Sequence, residues 1–277
     1  MLTNRIVLVN DTSTFSSNLV GEGISGLVGL GPSSGSVIRN TVSYFTKLSP
    51  HSLLTFNKIG NASADPILDR IFQQNTSSSN YITFLLQRNG DPTQPQSGEI
   101  TIGEIVSGLE NITSQTQVPA EVLETDSAEN QHWTIQLDPN GLIGPDGKVI
   151  KKSSIVPHNH GRLYGVIDSG FTLPQVPRPV SDAIYGRVKG ANYSVERNMW
   201  TFPCEQELNI SISIGGYKYP VHPLDTSSKD LGFKDANGNF VCVGTVAIPA
   251  SPSFGSFLIF IVSVPTHNFS FQSCWAV

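Results

Sequence analysis

The chain has 277 residues, a formal net charge of −5, only 14% charged side chains, and 25 glycines and 18 prolines. That length suits two domains or one large all-β unit with a real core, and low charge with plentiful Gly and Pro describes strands and turns rather than charged helices. The acidic balance argues against nucleic acid as a partner, and the longest apolar run, 257–264, is too short to span a membrane.

Residues 5–9 are expected to form a buried strand. A second apolar run, Ile24 to Leu30 (ISGLVGL), carries glycines where backbones are expected to approach closely. Residues 36–48 and Pro66 to Phe72 space their apolar side chains at helical intervals. Tyr81 to Gln87 and Gly98 to Gly103 read as consecutive strands, separated by the turn-rich RNGDPTQPQS. The polar stretch 105–130 reads as loop or linker. Trp133, Ile135 and Leu137 then alternate with polar residues, which buries one face of that strand. Pro145-Asp146-Gly147 is a tight hairpin turn. Leu163 to Ile167 is a strand that runs into Asp168, and Pro179 to Val188 is a short helix. LNISISIGGYKYPV, 208–221, is strand and hairpin. Few helices, many short strands and no βαβ rhythm give an all-β architecture with a few short helices. No short repeat of solenoid period is present.

Several residues could carry chemistry. Cys204, Cys242 and Cys274 lack the close spacing of a zinc site; two can pair and one is left over. His158 and His160 stand at i and i+2, but Pro157 and Gly161 mark a loop and no third ligand accompanies them, so no metal is expected. Trp133 and Trp200 are expected to be packing residues. Asn-x-Ser/Thr triplets occur at Asn10, Asn61, Asn75, Asn111, Asn192, Asn209 and Asn268, a spread that points to a secretory history with glycans. The first fifteen residues, however, lack a basic segment followed by an apolar one. The expectation is therefore a cytosolic chain or one that begins partway into a longer protein. Gly31-Pro32-Ser33-Ser34-Gly35 fits G-x-S-x-G, the nucleophile elbow of α/β-hydrolases. Ser33, Asp168 and His222 or His267 would keep that order, but the alternating strands and helices of such a sheet are missing and Pro32 sits inside the elbow. A loop is the expectation there.

Asp168-Ser169-Gly170 interrupts an apolar run, YGVIDSGFTLPQVP. Taken alone it is an Asx-turn. After the strand LYGVI, the same turn would hold a carboxylate at the mouth of a buried sheet, fixed by backbone N–H groups and the Ser169 hydroxyl.

The order of segments resembles the pepsin-like aspartic peptidases (family A1), particularly the fungal ones. GISGLVGLGP (23–32), SGEITIGE (97–104), HWTIQLDPNGLIGPDGKVI (132–150), VIDSGFTLPQVP (166–177), the pair FPC and FVC, and ISISIGGYKYPVHP (210–223) each resemble a family segment, in the family's order. The resemblance implies a bilobal acid protease fold with the first lobe truncated. It assigns 1–104 to the end of the first lobe, 105–130 to a linker, 131–260 to the second lobe and 261–277 to an atypical tail. It implies a Cys204–Cys242 disulfide. It makes Asp168 one carboxylate of a catalytic dyad, supported by Ser169, Gly170 and Thr172. In the family, two carboxylates share a proton across a bound water; one takes the water's proton during attack on the peptide carbonyl and the other donates to the carbonyl oxygen. The implied substrates are extended polypeptides with apolar side chains flanking the cut, bound in a cleft between lobes by a monomer that needs no metal or organic cofactor. A secreted or vacuolar location follows from the family and the Asn triplets.

The sequence departs from the family pattern in three places. Asp168-Ser169-Gly170 is the sole Asp-Ser/Thr-Gly triplet, and neither the first motif nor the flap tyrosine precedes 23–32. Phe171 follows the triplet where the family has Ser or Thr, with Thr172 one place later. FGSFLIF (254–260) begins the family's closing motif, but the Leu-Gly pair is absent and the tail with Cys274 reads as foreign to the fold. A catalytically inert pepsin-fold protein or binding module is the alternative these departures raise.

Overall fold

A computed structural model describes residues 28–36, 39, 65–85, 98–121, 132–151, 163–168, 174–229, 232–235, 237–246, 258–260 and 273–274. Close packing divides the chain into two units, Met1–Ser78 with Val122–His132, and Ser79–Glu121 with Trp133–Val277. The expected strand at 5–9, nearly all of the expected helix at 36–48 and the His158/His160 pair lie outside the described residues.

In the first unit, helix α1 spans Ile67–Gln74 and begins after Pro66, whose missing N–H costs nothing at a helix start. It buries Leu68. The run expected to pack closely around its glycines does not do so where it is described. Val28 is 67% exposed, and no atom lies within 4 Å of where a Cβ would stand at Gly29 or Gly31. Apolar character alone does not bury a segment; another element has to cover it.

The second unit is almost entirely β. Strands β1 (Tyr81–Leu85) and β2 (Glu99–Ile102) pair antiparallel, as the sequence predicts. A 3-10 turn, Glu110–Ser114, follows. Next come β3 (Thr134–Gln136), β4 (Leu142–Ile143) and β5 (Tyr164–Ile167). Helix α2 (Arg178–Tyr185) precedes β6 (Asn192–Ser194), β7 (Met199–Pro203), β8 (Ile210–Ile214) and β9 (Tyr217–Val221). One helical turn at Pro223–Thr226 leads to β10 (Ser227–Ser228), β11 (Val241–Gly244), β12 (Leu258–Phe260) and β13 (Ser273–Cys274). Among the described residues these strands form four small sheets, ordered β13-β1-β2, β10-β11-β7-β6, β12-β5-β3 and β4-β8-β9.

The turns follow the local chemistry. Gly215 and Gly216 both have positive φ, 61° and 86°, which the two-residue β8–β9 hairpin demands. Gly147 closes the Pro145 turn with N–H to Gly144 O at 2.9 Å. The core collects Ile135, Leu137, Leu142, Leu163, Val180, Ile184, Tyr185, Phe202, Leu208, Ile210 and Ile214, with Trp200 and Val118 packed against it. Cys204 and Cys242 are bonded, with Cα atoms 4.9 Å apart and a sequence separation of 38. The bridge staples the end of β7 to β11, which already pair at Cys242 and Phe202. Ser273–Cys274, in the tail, pairs with Tyr81–Ile82 of β1.

Candidate active site

Asp168 stands immediately after β5, the middle strand of its sheet. On one side β5 pairs antiparallel with β3, Thr134 facing Val166 and Gln136 facing Tyr164. The pairing extends past the strand ends: Leu137 N–H donates to Leu163 O, and Ile167 N–H to Trp133 O, both at 2.9 Å. On the other side β12 runs parallel, Leu258 beside Gly165 and Phe260 beside Ile167. Parallel neighbours need a long crossover, and here the connection carries most of the second unit's core. A strand held on both sides fixes the backbone that delivers Asp168, which is itself half-buried.

Side-chain alternation gives this sheet two distinct faces. Ile135, Leu137 and Leu163 belong to the core, with Ile167 against it. Thr134, Gln136, Tyr164, Val166 and, one step beyond the strand, Asp168 share the opposite face. The Gln136 Nε2 to Tyr164 hydroxyl bond of 3.1 Å lies across the strands on that face. The expected buried face of 133–137 is there, with Ile135 and Leu137 in the core, but burial extends beyond it. Thr134, on the polar side of the alternation, is fully buried. Along the free edge of β3, Glu121 bridges Thr134 antiparallel, its N–H donating to Thr134 O at 2.7 Å.

Ser169, Gly170 and Thr172 lie outside the described residues. The chain is described again at Pro174 and enters α2, with Pro177 as N-cap and Pro179 in the first turn. Tyr185 at the end of α2 is completely buried. Its hydroxyl donates to Thr226 O at 3.0 Å and accepts from Val246 N–H at 2.9 Å. Burial pushes its phenol well above the ordinary value, the Val246 hydrogen bond opposing only in part. Gly244 is required opposite the ring, because a Cβ there would stand 2.4 Å from it. On the outer side of α2, Asp182 accepts from Arg178 Nε at 2.5 Å and Trp200 Nε1 at 3.2 Å. Trp200 is thus a packing residue, tilted against Tyr193 at 5.5 Å.

The remaining candidates are placed as follows. Ser33 begins a 3-10 turn, not a strand-to-helix elbow, and its hydroxyl donates to the Asp69 carboxylate of α1. His222 is half-buried, and His267 lies outside the described residues. Asn75, Asn111, Asn192 and Asn209 are exposed; Asn10, Asn61 and Asn268 are not described. Among the described residues no group of three His, Cys, Asp or Glu could hold a metal ion, and no helix is long and apolar enough to cross a membrane. An open groove of about 920 Å³ runs beside the disulfide, lined by Cys204, Glu205, Lys229, Asp235 and Phe240 among others. None of its lining residues belongs to the Asp168 sheet, so it is not the candidate site.

An all-β protein whose Asp-Ser-Gly triplet starts at the end of a doubly paired central strand has the architecture of an aspartic peptidase. Comparison with known sequences gives the family: the sequence model described as eukaryotic aspartyl protease matches residues 11–259, and the chain belongs to that family, with its pepsin-like all-β fold. A probable aspartic-type endopeptidase CTSD of Arthroderma otae is 28% identical over 166 residues, 59% of this chain and 38% of that protein. Aspartic protease pepA of the same fungus is 28% identical over 113 residues, 40% of this chain and 28% of its own length. Major aspartyl peptidase 1 of Cryptococcus neoformans var. grubii is 26% identical over 195 residues, 69% of this chain and 38% of its own. The chain thus spans well under half the length of these relatives.

Proposed function

We propose that the chain is part of an aspartic-type endopeptidase in which Asp168 is one of two carboxylates that activate a water for attack on a peptide bond. The observation that carries this reading is the family match across 11–259 together with the position of Asp168 at the end of β5. The second carboxylate cannot come from another Asp-Ser/Thr-Gly of this sequence, which has only the one. One carboxylate of such a pair stays protonated because like charges at contact distance do not both ionise, and it then acts as the acid. Ser169 and Thr172 support Asp168 by hydrogen bonding, and Gly170 permits the turn. The substrate is an extended polypeptide with apolar side chains beside the cut, bound by a monomer. The protein is secreted or vacuolar, with glycans on the Asn-x-Ser/Thr triplets; the exposure of Asn75, Asn111, Asn192 and Asn209 supports that reading.

A second reading is an inert pepsin-fold protein or binding module, favoured by the single Asp-Ser/Thr-Gly triplet. Incubation of the chain with a denatured protein across roughly pH 2 to 6, with and without Asp168→Ala, separates the two. The enzyme reading expects cleavage that a statine-type inhibitor blocks and that the substitution abolishes. Intact substrate throughout would leave the inert reading standing.

A further inference from the structure

We propose that Thr134 is a positioning residue for Asp168, acting through one internal water held between its hydroxyl and the Asp168 carboxyl. This rests on reading Asp168 as a catalytic carboxylate.

Thr134 is fully buried, and its Oγ1 has no hydrogen-bond partner among the described residues. Its backbone is already engaged, the carbonyl accepting from Glu121 N–H at 2.7 Å on one edge while the residue pairs with Val166 on the other. Buried hydroxyls in native proteins are satisfied, and where no protein group serves, an internal water does, making about three hydrogen bonds. The hydroxyl does not belong to the main core. Its neighbours along the strand, Trp133 and Ile135, alternate to the other face, and Ile135 packs in the core there. Thr134 faces Val166, so its side chain shares the face of Tyr164, Val166 and Asp168.

The spacing suits one water. Diagonal neighbours on one face of an antiparallel pair lie about 7–8 Å apart at the backbone, and their side chains lean closer. A single water linking two oxygens spans roughly 5.5 Å. A carboxylate offers about four lone-pair sites, so such a bond adds to whatever else Asp168 accepts. The water would donate one proton to the carboxylate and accept the Thr134 hydroxyl proton. It would thereby fix the carboxyl plane from the buried side, leaving the outer side for substrate.

The test pairs crystallography with kinetics on the full chain and two variants, Thr134→Val, which keeps the shape and removes the hydroxyl, and Thr134→Ser, which restores it. The expected structure shows an ordered water within about 3 Å of both Thr134 Oγ1 and an Asp168 carboxyl oxygen, lost in T134V and kept in T134S. The expected kinetics are a fall in kcat of roughly 10- to 100-fold in T134V with KM unchanged, as for a misplaced catalytic group, and recovery in T134S. Absence of that water, or a T134V enzyme that turns over like the parent, overturns the proposal. A parent that cleaves nothing sinks the endopeptidase reading instead, and the crystallographic comparison then decides the Thr134–Asp168 link alone.

Discussion

Tyr185 is where helix α2 is tied to the two segments that close around it. Its hydroxyl bridges Thr226 O and Val246 N–H inside the protein; in Tyr185→Phe the Thr226 carbonyl keeps Thr245 N–H at 3.2 Å, but the buried Val246 N–H loses its acceptor. That costs about 1–3 kcal/mol, measured as a shift in urea unfolding midpoint. The pH dependence has a definite sign. A phenol raised in the folded state keeps its proton where the unfolded chain loses it. Its contribution is complete below the ordinary phenol value of about 10 and declines as pH rises beyond it. The Phe variant should show a shallower loss of stability on the alkaline side. Opposite the ring, Gly244→Ala places a methyl 2.4 Å from Tyr185, and overpacking of this kind costs about 1–3 kcal/mol or more. An unchanged melting temperature in G244A would contradict this packing.

At the scale of elements, the site depends on β5 being held from both sides. The antiparallel partner β3 is close in sequence, whereas the parallel partner β12 arrives some ninety residues later. Alternation along β5 turns the Val166 backbone towards β12, since Ile167 N–H is bonded to Trp133 O on the β3 side. Phe260→Pro, which removes the β12 N–H next to Val166 O, should weaken that side, seen as faster amide exchange at Val166 with β8 and β9 unaffected. The disulfide acts on a different element pair. Reducing Cys204–Cys242 should lower stability by about 2–5 kcal/mol without reversing the β7–β11 register, which backbone pairing already sets.

The same contrast explains what could be read in advance. The β1–β2 pair, the β8–β9 hairpin with Gly215-Gly216 and helix α2 are local patterns, and their positions are legible to within a few residues. The β5–β12 pairing is not, because nothing in FLIF specifies a parallel neighbour so far away in sequence. Burial of Thr134 is also invisible to alternation, which marks it as polar; that burial and the edge bridge from Glu121 are tertiary facts. The openness around Val28 and Gly29 has the converse cause, an apolar run that no described element covers.

At the scale of the molecule, the family fixes the architecture, and the account stands on Asp168 being a working carboxylate rather than a turn residue. The most direct measurement is kcat/KM on an internally quenched peptide with apolar residues beside the scissile bond, at acidic pH, for the chain and for Asp168→Asn. The near-isosteric amide keeps the turn and removes the acid–base group, so turnover should fall by at least roughly 10²- to 10⁴-fold. An Asp168→Asn protein that cleaves as fast as the parent would contradict the account.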